Sequence, residues 1–195
     1  LTENVVILDF KSLYPTTMIA RNLCYTTEIR DECPDCNITI SPSGGRFVPP
    51  EIRLGIVPRV LEKLLDERIK AKKAMKLPGI SEEEKRQLDA KQYAMKILLN
   101  SFYGYSGYAR ARLYSPVIAN SVTSYGRENL IRTRKIVEEH ELFILNDESF
   151  KLKTIAGDTD SIFISITGNI DFYKAKQIGK DIASIVTADL PKPME

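Results

Sequence analysis

Two aspartates flank a threonine near the end of an apolar run, Ile155-Ala156-Gly157-Asp158-Thr159-Asp160-Ser161-Ile162-Phe163-Ile164. A third closes another apolar run, Val5-Val6-Ile7-Leu8-Asp9-Phe10. Each reads as a β-strand tip that carries carboxylate. Like charges gathered at a sheet edge raise one another's pKa, so the pattern calls for a cation. Hard oxygen ligands suit Mg²⁺, which takes one or two protein carboxylates and completes its shell with water and substrate phosphate. The chemistry expected of these residues is metal-dependent phosphoryl transfer.

A phosphoryl substrate also needs cations and donors. In Lys96-Ile97-Leu98-Leu99-Asn100-Ser101-Phe102-Tyr103-Gly104, Lys96 and Asn100 are four apart and share a helix face, with Tyr103 on the same side. Lys offers phosphate a point charge and Asn a neutral donor. Arg68 and Lys72 repeat the spacing, and Arg can grip phosphate oxygens bidentately. From Arg59 to Arg112 the chain has 13 Lys or Arg against 7 Asp or Glu, leaving 15 against 19 elsewhere. A basic segment beside an acidic remainder suits an anionic substrate. In Asp9-Phe10-Lys11-Ser12-Leu13-Tyr14-Pro15, the strand-end Asp can ligate a metal, and the turn after it brings backbone groups near a triphosphate.

The elements that position these groups follow from periodicity. Val5 to Phe10 is a short buried strand, and Ser12 to Ala20 a helix that tolerates Pro15 in its first turn. Residues 24 to 50, rich in Pro, Gly, Ser and Cys, form a connecting loop with a hairpin at Ser43-Gly44-Gly45-Arg46. Pro58 opens a helix to about Lys76, whose apolar stripe is Val60, Leu61, Leu64, Leu65, Ile69 and Met75. Leu77-Pro78-Gly79 breaks it. Ser81 starts a second long helix, with Glu84 completing a capping box, and runs to about Tyr103. The two form an antiparallel helical hairpin. Pro116 to Glu139 is a helix, Leu142 to Leu145 and Leu152 to Ala156 are strands, and Gly157 to Asp160 is a tight turn. Alternation in that turn would aim Asp158 and Asp160 at one site. Ser161 to Ile166 returns as a strand and Asp171 to Leu190 is helical. The order predicts an α+β fold, an antiparallel sheet covered by helices, from which the hairpin projects.

At 195 residues and 43% hydrophobic, the chain has the size and composition of one globular domain, or one with an insertion. It has no apolar run of about 18 residues, so no membrane partner is expected. It begins Leu1-Thr2-Glu3, without Met, and is expected to be part of a longer protein. Cys33-Pro34-Asp35-Cys36 has the spacing of a zinc knuckle or redox pair. Cys24 would be a third ligand, no fourth Cys exists, and the only histidine, His140, is distant; a loop disulfide or free thiols are the expectation.

Taken together, the three motifs resemble those of the family B DNA polymerases, in their archaeal-type form. Asp9 to Pro15 is similar to the DxxSLYP motif, Lys96 to Gly104 to KxxxNSxYG, and Gly157 to Ser161 to YGDTDS, with Ala156 where Tyr is usual. The order is the family's, and the likeness covers nearly the whole chain. It implies a palm in two parts, 1–57 and 109–195, with fingers at 58–108. It implies template-directed DNA synthesis, transferring a nucleotide from a dNTP to a primer 3′-OH by a two-metal mechanism with Mg²⁺, or Mn²⁺ in its place. Asp9, Asp158 and Asp160 would be catalytic, and Asp9, Asp160 and the Phe10 carbonyl would bind metal. Ser12, Leu13, Tyr14, Arg68, Lys72, Lys96 and Asn100 would bind the nucleotide, with Tyr14 packing under its sugar. Tyr103, Gly104 and Thr159 would contact DNA. The implied partners are primer–template DNA, dNTP and the N-terminal, exonuclease and thumb domains, with a sliding clamp reached through a further C-terminal segment. The implied location is a prokaryotic cytoplasm, at the nucleoid. The alternative is a non-catalytic nucleotide- or DNA-binding part of a split or inactivated polymerase.

Overall fold

The structure, a computed structural model, describes residues 3–30, 37–146 and 148–195. It divides into two compact units, Leu1–Leu13 with Tyr125–Glu195, and Tyr14–Ser124. Helices and an antiparallel sheet mix as expected of an α+β fold.

The first unit is built on one four-stranded sheet. Its strands are β1 (Val5–Asp9), β4 (Leu142–Leu145), β5 (Glu148–Asp158) and β6 (Ser161–Thr167), in the order β1-β6-β5-β4. Every neighbouring pair is antiparallel. Strand alternation gives the sheet two unlike faces. Phe150, Leu152, Ile162, Ile164 and Ile166 point to one and are buried. Against that face lies α5 (Phe172–Asp189), with Ile178, Ile182 and Val186 buried. Asp171 starts α5 by accepting the Lys174 N–H at 2.8 Å. The approach of α5 to β1 is close at Gly179, where a Cβ would lie 2.8 Å from Val6 Cγ1. The end of α4 (Pro116–Glu139) belongs to the same unit, with Val137 buried and Arg132 paired with Asp189 of α5. The other face stays open. Along it run Val5, Ile7 and Asp9 of β1, opposite Ser165, Phe163 and Ser161.

The second unit holds α1 (Leu13–Ala20), the strand pair β2 (Thr39–Ile40) and β3 (Arg46–Phe47), and a hairpin of α2 (Ile56–Ala74) with α3 (Glu82–Gly107). Asn22 knots its base: the side chain donates to the Val48 and Arg53 carbonyls and accepts from Gly55 N–H. Met18, Leu23, Phe47, Leu61, Leu99, Ile118 and Val122 form its core. The hairpin tip carries Gly79 at φ +82°, a conformation that favours glycine. At Ser81 both capping-box bonds are present.

Three expectations change, in α2, α3 and β5. Val60 and Ile69 lie exposed rather than in the apolar stripe. Their helix packs against one partner, which takes a narrower face than a core helix offers. Helix α3 runs one turn past Tyr103, because buried Ser106 donates to the Tyr103 carbonyl at 2.7 Å and its own carbonyl accepts the Ser115 N–H. Strand β5 begins at Glu148, ahead of Leu152, since Leu142–Leu145 pairs with its first four residues. A register shift between Thr154 and Ala156 makes Ile155 a bulge. Cys24 is a free, buried thiol whose sulfur accepts the Val57 N–H at 3.3 Å, while Cys33 and Cys36 lie outside the described residues. Among the described residues no helix is long and apolar enough to cross a membrane.

Candidate active site

Register, set by hydrophobic pairing, brings the acids together. Turning half-buried Val6 toward Ile164 and Leu8 toward Ile162, both buried, puts Asp9 opposite Ser161. On its other side Ser161 pairs with Asp158. Asp9, Ser161 and Asp158 therefore form one row across three strands on the open face. The turn between β5 and β6 supplies Asp160 beside that row. Its carbonyl accepts the Phe10 N–H at 2.8 Å, tying the end of β1 to the turn. Partial burial raises the Asp9 pKa above the ordinary carboxylate value, and the Asp160 charge raises it further. Two carboxylates thus repel each other at the strand end, which is the setting a divalent cation relieves.

Alternation does not place Asp160, contrary to expectation, because the residue lies in the turn rather than on a strand. Thr159 at the tip has φ +44°, unusual for a β-branched residue. Its hydroxyl donates to Asp158 Oδ1 at 3.1 Å, and the Ser161 hydroxyl donates to the Asp158 carbonyl at 3.2 Å. Asp158 stands two strand spacings from Asp9, roughly 10 Å. Among the described residues no three His, Cys, Asp or Glu side chains converge on one cation position. The candidate donors are two carboxylates, Asp9 and Asp160. That fits Mg²⁺ or Mn²⁺ with a shell completed by water and phosphate, and does not fit a closed protein cage.

In the second unit the hairpin carries the cations. Glu67 of α2 pairs with Lys91 of α3, and Arg68 Nε lies 3.5 Å from Gln92 Oε1. This fixes the antiparallel register. Lys96 sits one turn from Gln92 toward the base, and Lys72 one turn from Arg68 toward the tip, so their levels differ by roughly 12 Å. Arg68 is nearer to Lys96 than Lys72 is. Lys72, Lys96 and Asn100 have no side-chain ion pair or hydrogen bond among the described residues. At the base of α3 the Tyr103 ring lies against that of Tyr14, centroids 4.2 Å apart and planes at 34°. Nothing comes within 4 Å of a Cβ built on Gly104.

The family model for DNA polymerase family B matches residues 1–195. This chain belongs to that family. The chain is 37% identical over 198 residues to the DNA polymerase delta catalytic subunit of Schizosaccharomyces pombe, covering 98% of this chain and 18% of that protein. It is 39% identical over 195 residues to the DNA polymerase of Thermococcus gorgonarius, covering 100% of this chain and 23% of that one. The family B DNA polymerase structure from the hyperthermophilic archaeon Pyrobaculum calidifontis matches with a TM-score of 0.72 at 28% identity, over 98% of this chain and 23% of that one. The chain thus spans about a fifth of the length of these relatives.

Three features of this chain escape its sequence. Ser161 is the strand residue that carries Asp9 and Asp158 into register, yet nothing in its type marks it. The Tyr14–Tyr103 contact joins residues 89 positions apart. Lys11, next to the site, is held by Glu195 through its backbone N–H and its ammonium.

Proposed function

We propose that this chain carries the nucleotidyl-transfer centre of a template-directed DNA polymerase. The observation that carries the reading is the register of Asp9 and Ser161, with the Phe10–Asp160 backbone bond setting two acids at one strand end. Asp9, Asp160 and the Phe10 carbonyl would hold a divalent cation, Mg²⁺ or Mn²⁺. When bound, that cation lowers the pKa of a primer 3′-OH and offsets the charge of the leaving pyrophosphate. Asp158 assists through the turn it anchors.

The chain's own residues do the rest. Arg68, Lys72, Lys96 and Asn100 neutralise and orient the triphosphate, as the charge spread over phosphoryl oxygens requires. The backbone of Ser12 to Tyr14 approaches the phosphates. The Tyr14 ring packs under the sugar and disfavours a ribose 2′-OH. Tyr103 lies against the nascent base pair, Gly104 leaves it room, and Thr159 meets the primer end. The 3′-oxygen forms a bond to the α-phosphorus as the bond to the β-phosphate oxygen breaks. The partners are primer–template DNA, dNTP and the other domains of a complete polymerase. A sliding clamp is a further partner on this reading, and the cytoplasmic nucleoid of a prokaryote its location.

Primer extension tests the proposal, using a complete polymerase that contains this segment. Asp160→Ala and Asp9→Ala are expected to lower kcat by about 100-fold or more. Full activity of Asp160→Ala with Mg²⁺ would contradict the metal role.

A further inference from the structure

Lys11 directly follows Asp9 and Phe10 and precedes Ser12. Two residues of extended chain span at most about 7 Å, so the flexible stem of Lys11 can carry its ammonium to the Asp9 carboxylate. Asp160 is brought near by its carbonyl, which accepts the Phe10 N–H at 2.8 Å. Two carboxylates at one strand end offer that ammonium strong acceptors. An ammonium seated there would occupy the oxygens that a divalent cation needs.

The ammonium turns elsewhere. Lys11 Nζ lies 2.9 Å from Glu195 Oε1, and among the described residues it makes no ion pair with Asp9 or Asp160. Burial and the Asp160 charge raise the Asp9 pKa, and no cation offsets them. Glu195 is well placed to hold Lys11. Its carbonyl accepts the Lys11 N–H at 3.0 Å. Met194 before it is 1% exposed, and its N–H donates to the Pro191 carbonyl at 3.0 Å. The Met194 sulfur accepts the amide of buried Asn129, in α4, at 3.6 Å. The Lys11 side chain is 72% exposed against 49% for Glu195, so the lysine follows the carboxylate rather than the reverse. All these residues belong to the first unit.

We propose that Glu195 is a positioning residue that holds the Lys11 ammonium away from Asp9 and Asp160, keeping their oxygens open to a divalent cation. The inference rests on the metal-site reading above and deepens it. Glu195 touches neither cation nor nucleotide and acts through Lys11. Because the pair is exposed, it adds little to stability, and its loss is felt at the acids rather than in the fold.

Calorimetric titration of the 195-residue chain with Mn²⁺ tests this. Glu195→Gln is expected to weaken Mn²⁺ binding by about 10-fold, with Tm nearly unchanged. Lys11→Met is expected to leave the affinity within about twofold of the unsubstituted chain. Lys11→Met/Glu195→Gln is expected to return to that level, because no ammonium remains to be held off. Glu195→Ala serves as a second variant should Glu195→Gln perturb folding. Unchanged affinity in both Glu195 variants overturns the inference. A double variant as weak as Glu195→Gln, the result of a purely structural role, overturns it too, as does a comparable weakening by Lys11→Met alone. Asp160→Asn in the same titration separates the two readings. If it weakens Mn²⁺ binding while the Glu195 variants do not, only the inference falls. If it leaves Mn²⁺ binding unchanged, the acids are not the metal site and both readings fall.

Discussion

Asp9 loses solvent at the end of β1 and faces the charge of Asp160, so the folded chain holds its proton more tightly than the unfolded chain does. Stability linked to this group is therefore greatest below the ordinary carboxylate value of 3.8. It declines as pH rises from there through the raised folded value. Asp9→Asn removes the dependence. In metal-free buffer the variant is expected to have a higher Tm than the unsubstituted chain at about pH 7, with the difference gone at about pH 3. Equal Tm values at both pH values, by scanning calorimetry, would show that folding does not raise the Asp9 pKa. The three acids stand out in the sequence through the order and spacing of the motifs that carry them, since a single strand-end Asp is more often a cap or turn residue. Their division into a close pair and an outlying Asp158 was not legible. It depends on the width of β6 between Asp9 and Asp158, which only register reveals.

At the scale of elements, helix signals were the most legible. Ser81 and Glu84 mark the start of α3 by local hydrogen bonds that need no tertiary partner. Pro116 to Glu139 matches α4 at both ends. The first residues of β5 were less legible, because Glu148 to Lys151 become strand only by pairing with β4. The contact that seats the site strand was not legible at all. Gly179 lets α5 approach Val6 of β1, and a Cβ there would press on a stiff β-branched side chain. Overpacking of this kind costs about 1–3 kcal/mol. The gain in helix propensity from Gly to Ala is only about 0.5–1 kcal/mol. Gly179→Ala is thus expected to lower Tm by a few degrees. A higher Tm would mean that propensity outweighs packing and that α5 does not press on β1 at this point.

At the scale of the whole molecule, the acids belong to one compact unit and the cations to the other. The net charge of +2 conceals this division, while the basic excess between Arg59 and Arg112 exposes it. The family, the fold class and the motif order were readable because the motifs are dense in chemistry-bearing residues. Pairing across the chain, such as Tyr14 with Tyr103, was not, since no local pattern encodes it. The account's central claim, as proposed above, is that Asp9 and Asp160 bind a metal and that Lys96 and Asn100 bind the phosphates of a nucleotide. Titration of the 195-residue chain with dNTP in the presence and absence of Mn²⁺, followed by calorimetry, tests it most directly. The account predicts binding that requires Mn²⁺ and is weakened at least about 10-fold by Asp160→Asn and by Lys96→Ala separately, each substitution removing one charge-assisted contact. Binding that is indifferent to Mn²⁺, or unchanged in either variant, would contradict it.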